Sequence, residues 1–132
     1  MKYLLDTSAL LAHFRDEAGA GRVQELFDEA GSDIFVVSVT MTEFSRRLSV
    51  LGATAAEIER CLGDYRMLFR AVVSIDEVVA LRAFAISESC LPRIPLVDSL
   101  IAAAAAITSA TLVHRDSHFN RVPGRELVQE QL

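Results

Sequence analysis

Lysine is almost missing from this chain. Of its 13 basic residues 12 are arginine, and Lys2 is the only lysine. Any mechanism that needs a catalytic or phosphate-gripping lysine in the interior of the chain is therefore excluded. Cysteine is scarce too: Cys61 and Cys90 form neither a CxxC pair nor a metal-ligand spacing, and they read as two reduced, buried thiols. Glycine-rich phosphate loops are absent, with neither GxGxxG nor GxxxxGK[ST] present, so nucleotide-binding folds fail. Long apolar runs are also lacking. "LVDSLIAAAAAI" is too short and interrupted to span a bilayer. "MKYLLDTSALLAHF" carries Asp6 where a signal peptide would be apolar, and no small-residue cleavage site follows. The expectation is a soluble cytoplasmic protein.

With 52% hydrophobic and 23% charged residues, the chain has ample material for a core, and a disordered chain is excluded. Its 132 residues predict one domain spanning 1–132. The 18 acids against 13 bases, a net charge of −5, at first argue against a nucleic-acid partner.

The hydrophobic period switches repeatedly. "KYLL", "DIFVVSV", "RAVVSI" and "TLVHRD" are short apolar or β-branched runs that predict strands, and "ELVQ" predicts a final one. Between them "SALLAHF", "GRVQELFDEA", "MTEFSRRLSVLG", "TAAEIERCLGDYRMLF", "DEVVALRAFAISES" and "LVDSLIAAAAAITS" carry helical periodicity, the third stopping at Gly52. Strands alternating with helices predict an α/β fold, a mainly parallel central sheet flanked by helices on both faces. In such sheets ligands bind beyond the carboxyl ends of the strands.

Four acids fall at equivalent places there: Asp6 ends "YLLD", Glu43 lies past "DIFVVSV", Asp98 is in the first turn of the alanine-rich helix, and Asp116 ends "TLVHRD". Each has a structural explanation taken alone. Asp6 can cap a helix, Thr40 to Glu43 matches a capping box, Asp98 suits a helix dipole, and Asp116 can form a side-chain turn. Together they would repel one another, more so when desolvated. A divalent cation resolves the conflict, and hard oxygen ligands suit Mg2+ or Mn2+. A metal so placed most often serves phosphate chemistry. Setting four ligands aside leaves an acid excess of about one, so the composition no longer argues against a nucleic-acid partner. Arg46, Arg47, Arg93, Arg115 and Arg121 lie near the candidate edge in sequence and are candidate phosphate contacts. His13, His114 and His118 read as ordinary surface or turn histidines.

These residues carry a family resemblance. "YLLDTSALLAHF", "SVTMTEF", "LVDSLIAAAA" and "HRDSHFNRVPG" resemble, in order and spacing over essentially the whole chain, the motifs of PIN-domain ribonucleases, most closely the toxin half of VapBC-type toxin–antitoxin pairs. The resemblance implies a PIN-like α/β/α fold and Mg2+- or Mn2+-dependent RNA endonuclease activity. It implies an acidic site of Asp6, Glu43, Asp98 and Asp116 supported by Thr7 or Ser8. It also implies a homodimer restrained by a cognate VapB-like antitoxin. Asp6, Asp98 and Asp116 would hold metal, with Asp98 kept ionised by its helix N-terminus, and Glu43 would orient or deprotonate the attacking water. Val97 departs from the family's usual alanine, and His114 from its usual threonine or serine.

Other small acidic folds fit less well. A receiver domain needs paired acids after the first strand and a late lysine, whereas Thr7 follows Asp6. A haloacid-dehalogenase-like phosphatase wants aspartate where Ser8 stands, and a kinase needs a glycine-rich loop. Two alternatives stay open at this point: a PIN nuclease of RNA processing outside toxin–antitoxin systems, and a non-catalytic PIN-like binding module.

Overall fold

Strand β1 (Lys2–Leu5) shows how the molecule is layered. Tyr3 and Leu5 point to one face of the sheet and Leu4 to the other, and all three are buried. Such two-sided burial is the mark of a parallel sheet covered by helices on both faces. In the computed structural model, which describes all 132 residues, β1 pairs in parallel with β2 (Asp33–Val37) and β4 (Thr111–His114). Strands β3 (Ala71–Val73) and β5 (Gln129–Gln131) close the two edges, also in parallel. The order is β3-β2-β1-β4-β5, so the chain reverses its winding between β1 and β4. The expected α/β class with helices on both faces is what the structure has.

Helices α1 (Thr7–Phe14), α2 (Ala20–Asp28), α3 (Ser38–Val50) and α4 (Ala55–Leu68) cover one face. There Leu10, Val23, Leu26, Phe44 and Leu48 meet Leu5, Val36 and Val113 of the strands. Helix α4 starts on a capping box between Thr54 and Glu57, as "TAAE" predicts. Helix α3 ends as expected before Gly52, whose φ of 97° costs a glycine little.

Helices α5 (Glu77–Ser89) and α6 (Leu96–Thr108) cover the other face. Ala102 to Ala105 of α6 are completely buried. Four successive alanines buried on all sides let the α6 backbone approach both the sheet and α5, which larger side chains would prevent.

Three local expectations differ. "DIFVVSV" stops being a strand at Val37, and Ser38 begins α3. Thr40 is therefore inside a helix and buried, and the Thr40–Glu43 capping box does not form; the N-cap is Val37, without a side-chain bond. The last strand lies at Gln129–Gln131 rather than on "ELVQ". Leu127 is buried in the core instead. Cys90 is buried as expected, whereas Cys61 is half-buried; both are free thiols. No helix is long and apolar enough to cross a membrane.

Replacing Ala103 by leucine adds volume where α6 has none to give. The expected cost is about 1–3 kcal/mol, read as a lower urea midpoint with an unchanged slope. An unchanged midpoint would contradict the close packing of this helix.

Candidate active site

The reversal of winding between β1 and β4 leaves a crevice at their carboxyl ends, the place where open α/β sheets bind ligands. Asp6 sits in it. Its amide donates to the Val113 carbonyl (3.1 Å), extending the β1–β4 pairing by one residue. Its side chain turns back to cap α1, Oδ1 accepting from the Ala9 amide at 2.8 Å. The capping explanation is thus correct, and it does not exclude a functional one. Asp6 is only 3% exposed.

The two hydroxyls after it serve two different acids. Thr7 Oγ1 donates to Glu43 Oε1 at 2.6 Å, with Thr40 Oγ1 3.5 Å away. Glu43 lies in the second turn of α3, so a bond between α1 and α3 fixes it beside the crevice. Ser8 Oγ lies 2.7 and 2.9 Å from the two oxygens of Asp6 and accepts from the Arg115 amide at 2.8 Å. Ser8 therefore ties the end of β1 to the segment after β4.

Asp98 enters from α6, third residue of the helix, and Asp116 caps the short helix η1 (Ser117–Arg121) by accepting from the His118 amide at 2.9 Å. The His118 ring joins the two: Nδ1 is 3.0 Å from Asp98 Oδ2 and 3.2 Å from Asp116 Oδ1. Ligand atoms of Asp98, Asp116 and His118 all lie within 4.8 Å of one another.

His118 is the residue that reading the sequence missed. It was expected to be an ordinary surface or turn histidine, but the η1 turn folds it back onto two acids. Its position two residues after Asp116 is the signal, because an Asx-type turn brings residue i+2 against the aspartate.

His114 also departs from expectation, being wholly buried. Its Nδ1 accepts from the Asp116 amide (3.2 Å), which leaves the proton on Nε2 to donate to Gln129 Oε1 (2.9 Å). Gln129 Nε2 in turn donates to the Phe119 carbonyl (3.0 Å). An imidazole thus steadies the last acid where the resemblance expects a hydroxyl. Burial pushes the His114 pKa down, consistent with that neutral tautomer. His13 is half-exposed and bonds to Tyr65 and Gln24, away from these groups.

The four acids are near enough to repel one another. Burial, joined by Asp116 and Asp98, pushes Asp6 up to about 7 against the hydrogen bonds of Ala9 and Ser8. Asp98 is raised as well, by burial first and then by Asp116 and Glu43, while His118 opposes the rise. The net shift of Asp98 is upward, so desolvation and neighbouring carboxylates outweigh the lowering expected of the α6 N-terminus.

No arginine or lysine pairs with Asp6, Glu43, Asp98 or Asp116; His118 is the one basic side chain within ion-pair distance of the group. A set of hard carboxylate oxygens short of positive charge fits Mg2+ or Mn2+, and a neighbouring imidazole suits Mn2+ better than Mg2+. Asp98 and Asp116 can supply oxygens and His118 a nitrogen to one ion, while Asp6 and Glu43 lie outside that group of three.

The arginines divide. Arg46 and Arg47 share a hollow with Glu43, and Arg115 shares one with Ser8. Arg93 instead pairs with Glu88, and Arg121 donates to the Arg93 carbonyl (3.4 Å).

The family model described as the PIN domain matches residues 3–125. Among curated proteins none matches the sequence. Solved structures do. The chain is 19% identical to one in the DNA-bound VapBC2 complex of Rickettsia felis, covering 100% of this chain and 99% of that one with a TM-score of 0.79. In a toxin–antitoxin complex from Klebsiella pneumoniae the values are 20%, 98%, 99% and 0.73. In FitAcB from Neisseria gonorrhoeae they are 23%, 98%, 96% and 0.71. At these identities the likeness is one of fold.

The raised Asp6 sets a pH dependence. Without metal, the stability associated with this group is fully present below its ordinary value of 3.8 and is lost as pH rises through about 7, a loss on the order of 4 kcal/mol. Asp6→Asn keeps an oxygen for the Ala9 and Ser8 bonds but carries no charge. In chelator, thermal unfolding of the variant is expected to lack the decline between pH 4 and 7. Adding Mn2+ should raise the wild-type midpoint at pH 8 and leave the variant's almost unmoved. Parallel pH profiles for the two proteins would refute the buried charge.

Proposed function

The chain belongs to the PIN domain family, and from that premise we propose that it is a Mg2+- or Mn2+-dependent endoribonuclease acting as the toxin of a toxin–antitoxin pair. The observation that carries the reading is the gathering of Asp98, Asp116 and His118, with ligand atoms within 4.8 Å of one another, at the switch point where buried Asp6 also ends β1. Asp6 and Asp98, both raised by burial and by neighbouring carboxylates, are a costly arrangement for a purely structural purpose. We take residues 1–132 as one PIN domain, since β5 and Leu132, beyond the matched segment, complete the sheet.

In this reading Asp6, Asp98 and Asp116 hold the ion, and the imidazole of His118 lies beside them. Once bound, the cation supplies Lewis-acid polarisation of the phosphoryl oxygen and a water activated for attack. The protein's own groups do the positioning. Ser8 and the Ala9 amide hold Asp6 so that its carboxylate cannot swing away. Thr7 occupies Oε1 of Glu43, leaving Oε2 to orient a water and take its proton. The His114–Gln129 bridge fixes the η1 turn and with it Asp116.

An antitoxin partner and a homodimer are supported by surface chemistry. Val78, Leu81 and Phe84 form an exposed apolar stripe along α5, and Phe14 of α1, Leu51 just past α3 and Leu68 of α4 lie exposed. Patches of this kind mark interaction surfaces. The toxin–antitoxin complexes among the structural relatives make a VapB-like partner the natural candidate, and a cytoplasmic location follows from an RNA substrate.

Wild-type protein incubated with total RNA is expected to cut it with Mg2+ or Mn2+ and not in EDTA. Asp98→Asn should slow cleavage by about 100-fold or more with an unchanged circular dichroism spectrum. A variant that still cuts at the wild-type rate would remove Asp98 from the mechanism.

A further inference from the structure

Ser8 faces two ways. On one side it meets Asp6; on the other it lines a hollow whose remaining walls are Leu11, Arg15, Glu17, Arg47 and Arg115. On a chain with an excess of acids, three guanidinium groups converge there against one carboxylate. Glu17 does not neutralise them; it arranges two of them. Its Oε1 is 3.1 Å from Arg15 Nε and its Oε2 is 2.9 Å from Arg115 Nη1. No acid other than Glu17 pairs with Arg15 or Arg115, and exposed Arg47 enters no ion pair. Arg47 also lines the adjoining hollow, together with Arg46 and the proposed catalytic Glu43. The arginines therefore form a continuous strip that borders the acid cluster at Ser8 and at Glu43.

We propose that Arg15, Arg47 and Arg115 form a phosphate-binding subsite that grips the backbone of single-stranded RNA beside the cleaved bond. Glu17 is the positioning residue that fixes the guanidiniums of Arg15 and Arg115. The choice of RNA as the ligand rests on the nuclease reading. The physical case is charge and geometry: guanidinium forks match phosphate oxygens bidentately. Held by a carboxylate, they lose less entropy on binding than free side chains. Repulsion between the acid cluster and an RNA strand also requires a nearby source of attraction, and this strip supplies it.

The test is anisotropy of a short fluorescein-labelled single-stranded RNA, titrated with protein in EDTA at several salt concentrations so that no cleavage intervenes. Arg47→Gln should weaken binding about fivefold at low salt and lower the slope of log K against log salt by about 0.7. Glu17→Gln, which leaves an acceptor oxygen for only one of the two guanidiniums, should weaken binding a few-fold without lowering the salt slope, since all three arginines remain and only their placement is lost. Mn2+ affinity, measured by calorimetry, should be unchanged in both. Wild-type slopes in Arg15→Gln, Arg47→Gln and Arg115→Gln would overturn the subsite, as would wild-type protein that does not bind the RNA. Tighter binding of poly-L-glutamate than of RNA, with the same arginine dependence, would also overturn it in favour of an acidic protein segment. Cleavage of total RNA with Mn2+ reads the nuclease proposal separately: a protein that binds by the arginines but never cuts keeps the subsite and loses the nuclease.

Discussion

A carboxylate removed from water without a cation beside it is among the more expensive things a fold can contain, and Asp6 is such a group. The rest of the site is arranged around that cost. The Ala9 amide and the Ser8 hydroxyl soften it, while Asp116 and Asp98 aggravate it. The energy that tolerates this comes from elsewhere, from apolar side chains interlocked on the two faces of the sheet. Local strain at a working site carried by a well-packed body is a familiar division of labour in proteins.

The packing and the site are linked through α6. That helix must lie close to the sheet for Asp98 to reach the crevice, and its buried alanines make the approach possible. The same close fit leaves Asp98 little water, so the residue that meets Asp116 and His118 is raised by its surroundings rather than eased by the helix dipole. Position and electrostatics have one cause.

Much of this was readable before any coordinates. Short β-branched runs separated by helical periodicity fix a parallel sheet, and acids at strand ends fix the edge where they gather. Contacts made by folding back were not readable. The Thr40–Glu43 pair matched a capping box, yet Val36 and Val37 end the strand early enough that α3 begins before it. Glu43 then finds its partner, Thr7, on another helix. His114 looked like a surface group because nothing nearby in sequence announces Gln129, which closes its hydrogen bonds. His118 depended on the curl of a single turn. Strand β5 is polar and short at an edge, where pattern carries little weight.

The Ser8 hydroxyl has a single proton and offers its oxygen to Arg115. That one atom is a hinge-pin common to the acidic and basic halves of the crevice. The bond from Arg115 comes from its main-chain amide, so it survives a change of that side chain and is lost only with the serine hydroxyl. A residue as small as serine is thereby the single point where losing one oxygen atom disturbs both halves together.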